Sequence, residues 1–317
     1  MRKKKLLMSG LGGSLFPYLH HQLVGKYDLF YVDSDSLLKN LYPDFNFFPA
    51  PLVSDDTYWD FISQIIQRYE IDCYIPLIDE EIVTAKMKFN DMLNYSVMTP
   101  TIEFSNLCLD KYALMHKLDS LGISSIKSYT GSEFKQQIPY PIFVKPNTGR
   151  GSRGIRKITS DEELNAYYLL EKYAPKDILI QELVMGTEYT VGVSTNNMNE
   201  ILCISTKKII RKRGITQVAV TENSDVIDAI ATRIVNELKP SGPINVQLYV
   251  TESGDVKIFE INPRFSTTTI MSYAGGVDEI SLYIENHNKQ FSTSNLVRPK
   301  SGIILHRRWE NCFYEEQ

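Results

Sequence analysis

The sequence predicts two architectures in succession, an α/β domain over about the first hundred residues and an α+β half after it. Strand-like and helix-like segments alternate up to about residue 100, which is typical of a parallel sheet with helices on its faces. From Ile178 onward strands dominate, and Asn199 and Gly254-Asp255 mark hairpin turns between them. Hairpins favour antiparallel pairing, so the architecture is expected to change near residue 100.

The predicted elements of the first half follow one another closely. A glycine turn after the first strand leads into a helix at about residues 16–23, and Asp56 is expected to cap a second helix. The apolar residues of that second helix, from Tyr58 to Tyr69, recur at steps of three and four. Strands are expected at residues 5–9, 28–32 and 73–78.

In the second half, polar residues mark where helices begin. Asp110 is expected to cap a helix that ends at Gly122, and Ser160 forms a capping box with Glu163. A long helix is expected over residues 225–238, before Pro240. The strands of this half are expected at residues 142–145, 154–158, 178–182, 189–194, 201–206, 244–250 and 256–261.

Composition excludes several classes of protein. The 317 residues suit two or three domains, and 43% hydrophobic residues are enough for sizeable cores, which argues against disorder. With 34 Lys and Arg against 38 Asp and Glu, the chain is not expected to bind nucleic acids or membrane surfaces generally. No apolar run is long enough for a transmembrane helix, and glycines soon interrupt the basic start, so no signal peptide is expected. The four cysteines form no C-x-x-C pair, which favours a reducing, cytoplasmic setting.

The turn Gly10-Leu11-Gly12-Gly13 suggests dinucleotide binding, and Asp33 lies where a ribose-binding acid would. However, Leu15 replaces the third glycine of the G-x-G-x-x-G fingerprint. A tight strand-to-helix turn that binds no dinucleotide is therefore the favoured interpretation.

A glycine-rich segment follows Lys145-Pro146 and runs Thr148-Gly149-Arg150-Gly151-Ser152-Arg153-Gly154. Glycines let backbone N–H groups approach an anion closely, and the two arginines add positive charge. The segment predicts phosphate binding, although a flexible hairpin loop would have a similar sequence. The chain contains no G-x-x-x-x-G-K-[ST] motif, which excludes a P-loop NTPase.

The sharpest signal is Phe259-Glu260-Ile261-Asn262-Pro263-Arg264, which follows an apolar strand containing Gln247 after a tight turn. Alternate residues of a strand share a face, so Gln247, Glu260 and Asn262 are expected on one side of a hairpin. Their oxygens suit Mg²⁺, which takes its other ligands from water and substrate phosphates. Arg264 is expected to meet phosphate oxygens. The alternative is a polar surface hairpin without a ligand.

Together these motifs resemble those of the ATP-grasp superfamily, especially the ATP-grasp halves of the carbamoyl-phosphate synthase large subunit and related small carboxylate–amine ligases. The resemblance covers about residues 100–275. It implies a Rossmann-like pre-ATP-grasp domain followed by a two-lobed ATP-grasp fold. The implied boundaries are 1–99 for the first domain, 100–289 for the ATP-grasp domain with lobes at about 125–182 and 183–289, and 290–317 for a C-terminal segment.

The resemblance also implies a role for each matching residue. Lys111 and Lys145 would contact ATP phosphates, and the glycine loop would close over them. Glu182 and Leu183 would border adenine, and Glu188 would hold the ribose. Magnesium, or manganese in its place, would bind Gln247, Glu260 and Asn262. The implied phosphate-loop residues are Gly149, Arg150, Gly151, Ser152 and Gly154.

The catalytic residues are expected to be Arg264, Lys145 and Arg213. The basic segment 207–213 has three interpretations: a nucleic-acid patch, a solvated face or part of the cleft. The cleft is favoured for Arg211 and Arg213. The acidic turn Asp79-Glu80-Glu81 either faces the cleft or caps the next helix, and both interpretations stay open.

The resemblance implies a cytoplasmic Mg-ATP-dependent ligase that joins a small amino-acid-like carboxylate to an amine through an acyl phosphate. Nucleic-acid and membrane partners are not expected, and a homodimer is left open. One ATP-grasp half makes carbamoyl phosphate synthesis improbable. The alternatives are a bicarbonate-using carboxylase or carbamoyl-type enzyme, a non-catalytic nucleotide-binding protein and, more distantly, a dehydrogenase.

Overall fold

The computed structural model describes residues 2–93, 96–149, 154–291, 296–308 and 311–314, which form three β-sheets. The first sheet has five parallel strands in the order β3-β2-β1-β4-β5. Its strands are β1 (Lys4–Ser9), β2 (Tyr27–Asp33), β3 (Asn46–Pro49), β4 (Cys73–Ile75) and β5 (Ser96–Val97). Its helices are α1 (Tyr18–Leu23), α2 (Leu38–Leu41), α3 (Tyr58–Tyr69) and α4 (Ile82–Phe89), with a 3-10 turn at Asp79–Glu81.

Two antiparallel sheets follow. The helices α5 (Ile102–Leu109) and α6 (Lys111–Ser120) lead into a four-stranded sheet in the order β6-β9-β7-β8. Its strands are β6 (Ser128–Thr130), β7 (Ile142–Pro146), β8 (Arg156–Ile158) and β9 (Ile178–Glu182), with α7 (Asp161–Glu171) packed on them.

The largest sheet has six strands in the order β14-β13-β10-β11-β12-β15. Its strands are β10 (Thr187–Thr195), β11 (Ile201–Arg213), β12 (Ile215–Thr221), β13 (Pro243–Val250), β14 (Val256–Asn262) and β15 (Ile304–His306). Its helices are α8 (Asp225–Leu238), α9 (Thr269–Ala274) and α10 (Glu279–Asn286). No helix in the described ranges combines the length and apolar character needed to cross a membrane.

The predicted class, α/β followed by α+β, is confirmed, as are two helix caps. Asp110 accepts a hydrogen bond from Ala113 N at 3.0 Å, and Ser160 accepts one from Glu163 N at 3.3 Å. The predicted division into domains stays a prediction. The C-terminal segment, whose place in the fold the sequence left open, contributes β15 to the six-stranded sheet.

Two predicted details were wrong for physical reasons. The N-cap residue of α3 is Thr57 rather than Asp56, and Thr57 is held by Asp55, whose carboxylate accepts hydrogen bonds from Thr57 N at 2.9 Å and Thr57 Oγ1 at 2.6 Å. The strand expected over 73–78 ends at Ile75. Pro76 lacks the N–H that a continued ladder needs, so the strand stops before it.

The first sheet is buried on both faces. Leu7 and Phe30 pack with the residues of α3 and α4 on one side. Leu6 and Met8 face the other side, where the core includes Tyr283 of α10 together with residues of α1 and α9. The two halves of the chain therefore share one hydrophobic core, which holds the first sheet firmly beside the six-stranded sheet.

Asp33 stabilises the glycine turn after β1. The Asp33 carboxylate accepts hydrogen bonds from Gly12 N and Asp35 N, both at 3.0 Å. A carboxylate that closes a turn in this way has fewer lone pairs left for a ribose. The geometry favours the tight strand-to-helix turn over dinucleotide binding.

Gly242→Ala is expected to destabilise the protein by about 1–3 kcal/mol, because the new methyl group overlaps the backbone. A Cβ at this position would lie 2.6 Å from Thr99 O and 2.7 Å from Pro100 N. Urea unfolding measures the change. Gly25→Ala is the control, since no atom lies within 4 Å of a Cβ there. Equal stability of the two variants would contradict the prediction.

Candidate functional site

A cavity of about 650 Å³ lies between the four-stranded and six-stranded sheets. It brings together side chains and loop residues that are far apart in the sequence. The predicted site residues that line it are Lys111, Lys145, Gly149, Glu182, Leu183, Glu188, Gln247, Glu260, Asn262 and Arg264. Their proposed roles stay predictions.

The predicted metal ligands lie on the neighbouring strands β13 and β14. Gln247 pairs with Glu260 across the ladder, and Asn245 pairs with Asn262. The Gln247 amide donates a hydrogen bond to Glu260 Oε2 at 3.1 Å. All three predicted ligands therefore reach the same cavity from two strands.

A β-bulge shapes this end of β14. Leu248 pairs with Ile258, whereas Gln247 pairs with Glu260, so Phe259 is the additional residue. Both Phe259 and Glu260 line the cavity, while the flanking Ile258 and Ile261 are buried in the core. The bulge thus adds an aromatic wall beside the carboxylate without disturbing the apolar face of the strand.

The donor set fits magnesium bound together with a phosphate ligand. One carboxylate and two amide oxygens suit a hard cation that completes its coordination with phosphate and water. Within the part of the chain that the structure describes, no three His, Cys, Asp or Glu side chains are grouped to hold a metal. The residues present would therefore hold the ion with help from a bound anion.

Two buried lysines face Glu260. Lys145 Nζ lies 3.5 Å from Phe259 O, and burial lowers the pKa of Lys145 to about 8, an effect that Glu260 opposes. Lys111 Nζ donates to Gly149 O at 2.8 Å, and burial also lowers the pKa of Lys111. Buried ammonium groups lack solvation, so a polyphosphate placed between them would gain strong charge-assisted hydrogen bonds.

Lys212 is a site residue that the sequence analysis missed. Its ammonium group donates to Glu188 Oε1 at 2.6 Å and to Gln247 Oε1 at 3.2 Å. It also lies 5.8 Å from the centre of the Phe259 ring. Lys212 therefore joins the predicted ribose acid to a predicted metal ligand.

The expectation that Arg211 and Arg213 face the cleft was wrong, although both lie on the same strand as Lys212. Both are exposed and do not line the cavity, and Arg211 instead lies 3.1 Å from His306 Nε2. Neighbouring residues of a strand point to opposite faces, so Lys212 lines the cavity and the two arginines do not. Alternation alone would not have found Lys212, because a β-bulge between Ile209 and Arg211 shifts which residues of the strand face the cavity.

Arg264 is held by the acidic turn at the end of β4. Its Nε donates to Asp79 Oδ1 at 2.5 Å, and its Nη1 donates to Phe265 O at 3.3 Å. Glu80 lines the cavity, whereas the buried Glu81 accepts hydrogen bonds from Tyr58 and Tyr74 at 2.5 and 3.0 Å. The turn therefore faces the cleft through Asp79 and Glu80, and Glu81 belongs to the core.

Several apolar side chains form one part of the cavity wall. Leu183 and Val184 follow β9 and line the cavity with Ile126 and Phe143, which gives an apolar slot for a flat ring. Glu182 lines the slot as well, and its Oε1 accepts a hydrogen bond from Lys127 N at 2.9 Å. Apolar side chains and one carboxylate therefore lie together in this part of the cavity wall.

The glycine-rich segment is described only at its edges. Gly149 has φ of +98° and lines the cavity, while Gly154 has φ of +67° and does not. The Gly154 carbonyl accepts a hydrogen bond from Tyr167 Oη at 2.8 Å. The other predicted loop residues, Arg150, Gly151 and Ser152, lie outside the described residues.

Comparisons with known proteins show what the chain is similar to. The sequence model of a family described as ATP-grasp in the biosynthetic pathway with Ter operon matches residues 174–309. The carbamoyl phosphate synthase large chain of Clostridium beijerinckii is 25% identical over 255 residues, 73% of this chain and 24% of that protein. The D-alanine–D-alanine ligase of Bacillus licheniformis is 24% identical over 241 residues, 63% of this chain and 66% of the ligase.

The chain thus spans about a quarter of one relative and about two thirds of the other. The crystal structure of L-amino acid ligase from Bacillus licheniformis superposes with a TM-score of 0.69 at 17% identity, covering 93% of this chain and 76% of that one. That likeness shows the fold. The matched family model and the two sequence relatives show that the chain is similar to proteins of the ATP-grasp superfamily.

Proposed function

We propose that the chain is a Mg-ATP-dependent ligase that joins a small amino-acid-like carboxylate to an amine. The observation that carries the proposal is the meeting of three features in one cavity. Buried Lys111 and Lys145 interact electrostatically with Glu260 of the predicted metal set, and Arg264 lines the same cavity. The names of the relatives, an amino-acid ligase among them, support a ligase of this class.

The proposed binding mode follows the polarity of the cavity. Adenine would lie between Leu183 and Phe143, and the ribose hydroxyls would bond to Glu188. The phosphates would extend toward Lys111 and Lys145. Gln247, Glu260 and Asn262 would hold magnesium, which supplies charge neutralisation to the transferring phosphoryl group when bound.

The chemistry needs positioning more than a protein nucleophile. The substrate carboxylate would attack the γ-phosphorus of ATP in line, which releases ADP and forms an acyl phosphate. Arg264 and Lys145 would stabilise the negative charge of the transferring group. The amine would then attack the acyl carbon and form the C–N bond, the acyl C–O bond would break to release inorganic phosphate, and the nitrogen would lose a proton to solvent to give the amide.

Internal contacts hold the lysines in place in the protein without a nucleotide. Glu260 partly balances the positive charge of Lys111 and Lys145, and Lys212 is held by Glu188 and Gln247. Entry of Mg-ATP would exchange these internal contacts for contacts with phosphate and ribose. A site preorganised in this way needs little rearrangement when the nucleotide binds, so the energetic cost of rearrangement is small.

Two measurements test the proposal. A thermal-shift titration with ATP should give a Mg²⁺-dependent stabilisation of about 2.7 kcal/mol at a hundred times the dissociation constant. ADP release is then screened with pairs of amino acids. Release that needs both a carboxylate and an amine supports the ligase. Binding without turnover would contradict it, and release that needs bicarbonate alone would point to a carboxylase.

Mg-ATP affinity is expected to fall above pH 8. Lys145, whose pKa is about 8, loses its proton there in the free protein, and a neutral amine binds phosphate weakly. The dissociation constant should rise about tenfold for each further pH unit, because one proton must be regained on binding. Calorimetric titrations between pH 7 and 9.5 measure the profile.

Lys145→Arg is the matched variant for this profile. Its guanidinium stays charged over the whole range, so its affinity should depend much less on pH. Identical profiles in the two proteins would show that Lys145 does not carry the titrating charge.

A further inference from the structure

The C-terminal strand places Arg307 next to strand β12, which forms part of the cavity wall. β15 pairs antiparallel with β12, with His306 opposite Val218, and Arg307 N donates to Gln217 O at 2.8 Å. This pairing places the Arg307 side chain behind strand β12, whose residue Thr216 lines the cavity.

The Arg307 guanidinium joins three separate segments of the chain. Its Nε donates to Thr216 O at 2.9 Å, and its Nη2 donates to Thr267 O at 2.5 Å. Its Nη1 donates to Ser14 O in the glycine turn after β1. One side chain thus links the first domain, strand β12 and the loop after β14.

Two of these three carbonyls belong to residues of the cavity wall, Thr216 and Thr267. Thr267 lies in the loop that also carries Arg264, which Asp79 holds from the other side. Arg307 does not itself line the cavity. It therefore acts on the cavity through the backbone that it holds.

We infer that Arg307 is a positioning residue that fixes the part of the cavity wall formed by Thr216 and Thr267, and this inference rests on the proposed ligase function. The planar guanidinium offers five N–H donors in a fixed arrangement, which lets it satisfy three diverging carbonyls at once. A lysine has a single nitrogen on a flexible stem and cannot span them together. Without the guanidinium, the Arg264 loop and β12 are free to separate.

Several predicted nucleotide contacts lie on strands that Arg307 does not hold directly. Lys145, Glu182 and Glu188 belong to β7, β9 and β10, which Arg307 does not contact through the hydrogen bonds described. Loss of Arg307 should therefore affect turnover much more than Mg-ATP binding. A displacement of about 1 Å at a reacting group lowers the rate by about 10²-fold.

The test compares Arg307→Lys with Arg308→Lys, which changes the exposed neighbouring arginine in the same way. With the substrate pair found for the unmodified protein, Arg307→Lys is expected to lower kcat by about 10²-fold while its dissociation constant for Mg-ATP stays within about twofold. Arg308→Lys should leave both unchanged. Equal kcat in the two variants, or a parallel loss of nucleotide affinity and turnover in Arg307→Lys, would overturn the inference.

A second measurement does not depend on turnover. Amide hydrogen exchange in peptides covering residues 10–16, 214–218 and 264–269 should be faster in Arg307→Lys than in Arg308→Lys. Unchanged exchange in all three peptides would overturn the inference even if the ligase assay finds no substrate. Absence of ADP formation by the unmodified protein, with faster exchange in Arg307→Lys, would reject the proposed function alone.

Discussion

Glu260→Gln is expected to lower phosphate release from Mg-ATP by about 10³-fold. Glu260 is the one carboxylate of the predicted metal set, and it pairs across the ladder with Gln247. Its negative charge also raises the pKa values of Lys111 and Lys145 and so counteracts the lowering by burial. Glutamine keeps the shape of the side chain and removes the charge, so the effect reports electrostatics rather than packing.

The variant has a second expected signature. In the unmodified protein, Mg²⁺ should strengthen ATP binding, because Glu260 would help to hold an ion that neutralises phosphate charge. In Glu260→Gln that gain should disappear, while ATP without metal should bind at least as tightly, since a repelling carboxylate is gone. Calorimetric titrations with and without Mg²⁺ separate these effects.

Glu252→Gln is the control, because Glu252 is exposed in the turn between the same two strands and does not line the cavity. It should leave turnover and metal dependence unchanged. If Glu260→Gln kept the Mg²⁺-dependent gain in ATP affinity, the assignment of the metal ligands to β13 and β14 would be wrong.

Elements with strong local signals could be predicted from the sequence. The helix α8 occupies the expected residues, Asp225–Leu238, because its apolar stripe and the Pro240 that follows it are both encoded locally. In contrast, the helices α9 and α10 were not predicted. They are short, and α9 is rich in hydroxyl and small side chains, so their stability comes from packing against the first sheet. That contact joins residues more than two hundred positions apart, which no local pattern reveals.

The candidate site shows the same limit. The spacing of Gln247, Glu260 and Asn262 follows from strand alternation, so their common cavity could be expected. The contact between Asp79 and Arg264 joins residues 185 positions apart, and the sequence analysis left the role of Asp79 open. Lys212 was missed because β11 runs to Arg213, well beyond the predicted end at residue 206, and a β-bulge between Ile209 and Arg211 shifts the alternation within it.

Arg264→Met is expected to lower turnover by about 10³-fold and also to destabilise the fold by about 3–5 kcal/mol. The two consequences have different origins. Loss of turnover follows from the missing charge beside the transferring phosphoryl group. Loss of stability follows because Asp79, whose side chain is 11% exposed, would be left as an unpaired charge. A stability effect alone would therefore not establish the catalytic role.

The double variant Asp79→Asn/Arg264→Met separates the two effects. Removing both charges leaves no unpaired ion, so most of the stability in urea should return, whereas turnover should stay as low as in Arg264→Met. Lys26→Met is the control for ion pairs between the halves of the chain. Lys26 lies 2.7 Å from Asp278 with its side chain 56% exposed, so its loss should cost less than about 1 kcal/mol and leave turnover intact. Recovery of turnover in the double variant would show that Arg264 serves only to neutralise Asp79, and the arginine would then have no place in phosphoryl transfer.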